Sequence, residues 1–453
     1  MCWVIKMVND LTKGSVFKKL WLFSLPLLGS VIFQQLYNMA DTIIAGQFIG
    51  EDALAAVGAS YPLTMLFMGV ALGCNLGCSV IVSRLFGEGN YKDVKESIST
   101  ILIAVTVLGL ALTLFGVFGG KFMLEMVNTP QNIFNDSLDY FKIYMLGFIF
   151  VLVYNVGTGI FSALGNSKTP FYFLVVSSVG NIILDLVFVI NFKMGVKGLS
   201  LATLIAQGIA AICCIAYLLF KIKEIKSDEK PGIFSKRLLV AMLVVAIPSV
   251  LQQSFISIGN MFIQNIVNNY GSNVVAGYTA AIKLNTFVIT SITTVGGALS
   301  SFTAQNLGAG NIKRIKQGVN ASLIMMFCLV VPFTLFYCIF PDIGLKLFMR
   351  EISDLALKTG RNFLYIVSPF YIVVSAKLMY DAILRGSANM KTFMIATFVD
   401  LLLRVILCFV FDAIIGIEGV WWSWPIGWII ATIVSAFFYY NNKWYERYNL
   451  IEK

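Results

Sequence analysis

The sequence predicts an all-α polytopic membrane protein, with about twelve transmembrane helices arranged as two six-helix lobes related by a parallel repeat. Three observations carry that prediction. The 453-residue chain is 58% hydrophobic and 12% charged, with a mean hydropathy of +0.84, whereas soluble domains are about 45–50% apolar and about 25% charged. Its apolar runs are separated by short polar breaks and reach the roughly 20 residues that a bilayer requires. The second half also repeats marks of the first at a nearly constant offset.

Taken in order, the apolar runs place spans at 20–44, 54–82, 97–118, 138–163, 171–191, 199–220, 238–266, 274–303, 317–340, 362–385, 393–414 and 419–440. The first span follows Lys6, Lys13, Lys18 and Lys19. It runs on past Asp41 without a small-residue cleavage site, so it reads as a retained span rather than a signal peptide. With these spans, 22 Lys and Arg residues fall on the side of the N-terminal lysines and 7 on the opposite side, leaving Lys142, Lys283, Lys377 and Arg404 in or at the edge of spans. The positive-inside rule then makes both termini cytoplasmic. The longest loop on that side, residues 221–237 (KIKEIKSDEKPGIFSKR), divides an N-terminal lobe (1–220) from a C-terminal lobe (238–453). The net charge of +10 is scattered over short loops and forms no continuous patch, which excludes nucleic acid as a partner.

The repeat appears when the second half is slid back by 222 positions. Pro248 then falls on Pro26, Phe255 on Phe33, Asn260 on Asn38 and Met261 on Met39. With a drift of one, the GEGN run at 87–90 matches GAGN at 308–311, and Lys168-Thr169 matches Lys391-Thr392. Six spans per half make the repeat parallel, which places a substrate between the halves near the midplane.

Absences narrow the chemistry. There is no histidine, which removes the commonest general base and metal ligand. The eight cysteines show no CxxC spacing and lie almost all in apolar spans, as small packing residues do. No nucleophile–base motif is present, so the chain does not read as an enzyme.

Leaving aside Asp139 and Asp412 at span edges, four carboxylates lie inside the spans: Asp41, Asp185, Asp381 and Asp400. Asp381 has Lys377 one turn away and Asp400 has Arg404, so each is expected to form an i,i+4 pair. Lys283 has no acid at that spacing and is expected to reach a cavity or to snorkel. Asp41 and Asp185 have no cation at helical spacing. Asp41 shares a helical face with Gln34, Tyr37 and Asn38, and Asp185 shares one with Asn181. The repeat puts Ile263 at the position of Asp41, and Arg404 and Cys408 at those of Asn181 and Asp185, so the acid pair belongs to the first half alone. Two such acids in a low-dielectric site must bind a cation, take up protons, or both. Asp41, Asn181 and Asp185 are therefore expected to form one coupling-ion site, whose oxygen ligands suit Na⁺ or H⁺ and no soft transition metal.

Several runs, in order, carry a resemblance: SLPLLGSVIFQQLYNMADTIIAGQFIG, ALAAVGASYPL, RLFGEGNYK, SALGNSKTPF, GNIILDLVFV, GVKGLSLAT and AQNLGAGN. Over residues 9–440 the chain resembles the multidrug and toxic compound extrusion (MATE) transporters, in the branch with DinF-like and MepA-like members. The resemblance implies a V-shaped central cleft between the lobes, alternating access, and export of amphipathic, often cationic drugs or toxins driven by H⁺ or Na⁺. It implies an ion site at Asp41, Asn181, Asp185 and Thr203, with no other cofactor. The seventh span has no acid, unlike the NorM-type pattern, so no second cation site is expected in the C-terminal lobe. Gln34, Tyr37 and Asn38 join the expected substrate cavity, with Met65, Met68 and Asn155 from the same lobe and Gln264 across the cleft; methionine walls suit promiscuous binding. A monomer among membrane lipids of the cell membrane is expected. The alternative is a lipid-linked precursor flippase of the same superfamily, which the acidic N-terminal lobe disfavours because it repels a pyrophosphate.

Overall fold

The computed structural model describes residues 9–225, 227, 229–347, 353–441 and 444–445. Cys2, Lys6, Lys226, Arg350, Lys443, Arg447 and Lys453, used in reading the sequence, lie outside the described residues.

The first half comprises α1 (Val16–Ile44), α2 (Glu51–Glu88), α3 (Tyr91–Met126), α4 (Phe134–Ala163), α5 (Lys168–Leu186) and α6 (Val196–Ile222). α1 and α5 each end in a π-helical turn, Ala45–Ile49 and Val187–Asn191. The second half comprises α7 (Lys236–Asn268), α8 (Ser272–Gly308), α9 (Ile312–Ile339), a short α10 (Pro341–Lys346), α11 (Asp354–Val367), α12 (Tyr371–Gly386), α13 (Met390–Ile415) and α14 (Ile417–Asn441). A 3₁₀ turn at Ser368–Phe370 joins α11 and α12 into one span. Among the described residues twelve helices are thus long and apolar enough to cross a membrane; eleven of the spans expected from the sequence lie inside one of them, and the ninth, 317–340, overruns its helix by one residue. The described residues contain no β-strand. α1 stays helical through Pro26, whose carbonyl accepts from Ser30 Oγ at 3.1 Å.

The repeated glycines show what the offset encodes. Gly87 and Gly308 are where α2 and α8 cross. A Cβ on Gly87 would stand 2.0 Å from the Gln305 carbonyl oxygen, and one on Gly308 would stand 2.2 Å from that of Arg84. Only glycine permits this approach, as at close helix crossings generally. Two turns deeper, Ser79 and Ser301, 222 residues apart, share a hydrogen bond of 2.9 Å. The second glycine of each motif, Gly89 at φ +74 or Gly310 at φ +71, then turns the chain into α3 or α9. The seam also holds α7 against α2, and α1 against α8 and α9.

At the same membrane face the segment before α1 lies across the seam. Asn9 N–H donates to the Leu164 carbonyl (3.0 Å) in the first half. Leu11, fully buried, donates its N–H to Gln305 Oε1 (3.1 Å), and its carbonyl accepts from Arg314 Nη2 (3.1 Å) in the second half. Gln305 Nε2 closes the link by donating to the Ala163 carbonyl at 2.6 Å. The linker is tied to α3 through Lys92–Glu229 and Arg237–Asp93, each at 2.5 Å. The two acids at span edges are also engaged, Asp139 with Lys197 at 3.0 Å and Asp412 with the Tyr270 hydroxyl at 2.5 Å.

Candidate functional site: a buried acid pair between α1 and α5

α1 packs on α5, and α5 on α6. Two apolar contacts fix this arrangement. On one side, Gly29 lets the Phe171 ring come within 2.9 Å of where a Cβ would stand, and Phe33 meets the same ring edge-on at 5.8 Å. On the other side, the π turns bring Ile44, Ala45, Val189 and Leu199 into a small buried cluster. Asp41 and Asp185 sit between the two contacts, four and two residues before their π turns. Such turns break the helical ladder and recur at functional sites.

The two carboxyls are close enough to interact directly. Asp185 is 0% exposed and Asn181 4%. No group stands in hydrogen-bond geometry to either oxygen of Asp185, to Oδ1 of Asp41, or to Oδ1 or Nδ2 of Asn181. Beside them a small cavity is lined by Tyr37 of α1, Ser177, Ser178 and Asn181 of α5, and Thr203, Ala206 and Gln207 of α6. Thr203 Oγ1 donates to its own helix at Leu199 O (3.1 Å), which leaves its oxygen able to accept or to ligate. Tyr140 of α4 lies within electrostatic range of Tyr37, Asp41 and Asp185. The donor set is oxygen with one amide, and no cluster of three His, Cys, Asp or Glu occurs among the described residues. Such a set suits a proton or a hard monovalent cation.

The structure thus brings Tyr37, Asp41, Asn181, Asp185 and Thr203 together. Gln34 lies beside Tyr37, and Asn38 is exposed. Met65 and Met68 are half-buried on α2, Met68 against the main core. Asn155 serves helix packing: its Nδ2 donates to Val151 O (2.8 Å), and its carbonyl accepts from Asn75 of α2 (2.7 Å). Gln264 donates to Asn268 Oδ1 on its own helix at 2.8 Å. Neither lines the cavity.

A family model described as MatE matches residues 26–187 and again residues 248–410. The chain belongs to the MatE family. The two matches begin 222 residues apart and end 223 apart, the spacing visible in the sequence itself. The chain is similar to the probable multidrug resistance protein YpnP of Bacillus subtilis, at 26% identity over 442 residues covering 96% of this chain and 97% of that one. It is also similar to the multidrug export protein MepA of Staphylococcus saprophyticus, at 21% identity over 434 residues covering 94% of each. Its fold matches the solved structure of a MOP superfamily transporter from Pyrococcus furiosus, with a TM-score of 0.89, 24% identity and 98% of each chain covered.

Reading this MatE chain from its sequence missed Ser177, Ser178, Gln207 and Tyr140. Spacing could have found three of them. Ser177 and Ser178 lie one turn before Asn181, and Gln207 one turn after Thr203. Tyr140 carried no such signal, because α4 approaches only through tertiary packing.

The second half of the MatE chain corrects one expected pair. Asp381 does meet Lys377, but Asp400 meets the same lysine and not Arg404. Lys377 Nζ stands 3.0 Å from Asp381 Oδ2 and 3.0 Å from Asp400 Oδ2. The Arg404 guanidinium instead lies over the Trp424 ring, 4.7 Å from its centroid. That stacking against α14 engages the guanidinium, which makes no ion-pair contact with the acid one turn before it although it lies nearby.

Proposed function

We propose that this MatE protein is a cation-coupled antiporter, which exports amphipathic, often cationic small molecules by alternating access of a site between its two halves. The observation that carries this reading is the acid pair of half-buried Asp41 and buried Asp185, three of whose four oxygens lack hydrogen-bond partners. Intramembrane acids without an internal counter-charge need a cation from solution, H⁺ or Na⁺. That requirement gives an ion gradient a handle on the protein's conformation. Tyr37, Asn181 and Thr203 complete the ligand set. Gln34, Tyr37 and Asn38 continue the same face of α1 toward the substrate path. The relatives' names, a multidrug resistance protein and a multidrug export protein, support the substrate class. The proposal places the protein in the cell membrane as a monomer, with the Lys- and Arg-rich face and both termini in the cytoplasm.

The test is efflux of a fluorescent cationic dye from proteoliposomes under an imposed proton or Na⁺ gradient, for wild type and Asp41→Asn. Gradient-driven export that the substitution abolishes is expected, and the effective gradient names the ion. Absence of dye movement under both gradients overturns the reading and directs the next assay to lipid-linked precursors.

A further inference from the structure

The second half contains its own buried acid pair, built differently. Lys377, Asp381 and Asp400 are 3%, 2% and 7% exposed. The lysine ammonium lies between the two carboxylates at 3.0 Å from each and ties α12 to α13. Ser435 of α14 donates to the remaining oxygen of Asp381 at 2.7 Å. Arg404 lies near Asp400, and Arg385 near Asp381.

We propose that Lys377 is a tethered counter-ion. Its ammonium fills, from within the chain, a carboxylate pair that would otherwise take a monovalent cation from solution, so the second half has no exchangeable cation site. Three arguments support this. First, an ammonium is a compact charge with three donors; it donates one to Asp400 Oδ2 and stands at ion-pair distance from Asp381 Oδ2, so it replaces a hard cation electrostatically at both acids. Second, Asp381 and Asp400 reach the same nitrogen from different helices, although the spacing of Asp400 offered it Arg404 one turn away. Third, two buried carboxylates cannot both stay ionised without a positive partner. In the first half no Lys or Arg reaches Asp41 or Asp185 as an ion-pair partner among the described residues. The inference stands whether or not those two residues carry the coupling ion, and the test silences them so that the two readings fail separately.

The experiment uses purified full-length protein with Asp41→Asn and Asp185→Asn, at alkaline pH so that protons do not substitute for metal ions. Binding of radioactive Na⁺ is measured, together with thermal unfolding in Na⁺ against choline at matched ionic strength. This background protein is expected to bind no Na⁺. Adding Lys377→Met is expected to create saturable binding of about one Na⁺ per chain and a melting temperature that rises with Na⁺. Adding Asp400→Asn on top is expected to abolish both. A Lys377→Met protein that binds no Na⁺ and melts alike in both salts overturns the proposal. Should Lys377→Met fail to fold in either salt, the background protein and its Asp400→Asn derivative decide. Equal counts uphold a half without an exchangeable site, and counts that drop with Asp400→Asn overturn it.

Discussion

The two halves share a plan and oppose each other in charge. In the first, Asp41 and Asp185 face each other between α1 and α5, and three of their four oxygens lack hydrogen-bond partners. In the second, Asp381 and Asp400 share a lysine, and an arginine stands at the repeat position of Asn181. Duplication supplied the same scaffold twice, but a site depends on which side chains a scaffold carries. A half whose acids hold an internal cation gains rigidity from them. A half whose acids do not is, under the function proposed above, left responsive to ions outside the protein.

Pairing the same substitution in both halves sharpens this contrast. The largest effect is expected from Asp185→Asn, which should abolish gradient-driven transport in proteoliposomes while leaving the melting temperature unchanged or higher, since it removes a buried charge with no partner. Asp400→Asn should do the reverse, keeping ion-coupled transport and lowering stability. Transport lost equally in both would break the comparison. Next comes Lys377→Met, which leaves two buried acids with no shared cation. By the usual cost of breaking a buried pair it should destabilise by about 3–5 kcal/mol in chemical unfolding without added Na⁺.

The seam tests where the halves are alike. Gly87→Val and Gly308→Val each drive a side chain into a facing backbone carbonyl. Each should cost about 1–3 kcal/mol, as overpacking does, and thermal melts of the two should agree. Unequal losses would mean that the seam is less symmetric than its glycines suggest. The smallest expected effect lies in the turns before α5 and α13. Gly165 has φ +75, whereas the matching turn places Ala388 at φ +55. Ala388→Gly should therefore stabilise by about 1 kcal/mol. Gly165→Ala should destabilise, because its Cβ would meet the Asn9 carbonyl oxygen at 2.0 Å.

Much of this was legible in the sequence, for identifiable reasons. Bilayer thickness fixes span length, so every apolar run became a helix. The acids at 41 and 185 stood out because neither has a cation one turn away. What was not legible depends on contacts between helices. Asp400 and Arg404 have the right spacing for a pair, but Trp424 on α14 claims the guanidinium and Lys377 on α12 claims the acid. Tyr140 and the cross-seam role of Asn9 and Leu11 belong to the same class, since their partners are far away in the chain. The glycines of GEGN and GAGN fall between the two. Their repetition was visible, but the backbone approach that requires them was not.

The short segment before α1 has a mechanical consequence. Leu11 is held mostly by the second half, through Gln305 and Arg314, yet only three residues, Thr12, Lys13 and Gly14, separate it from the Ser15 that caps α1. α1 in turn is one unbroken helix from Val16 to the turn bearing Asp41. Any rearrangement that parts the halves at that face must either break the Leu11 hydrogen bonds or drag the base of α1 with the opposite half. The helix then works as a lever, with its fulcrum at the Gly29–Phe171 contact and its far arm carrying one acid of the pair. Displacement at one membrane face and the distance between two carboxylates near the other are thereby linked through one continuous helix.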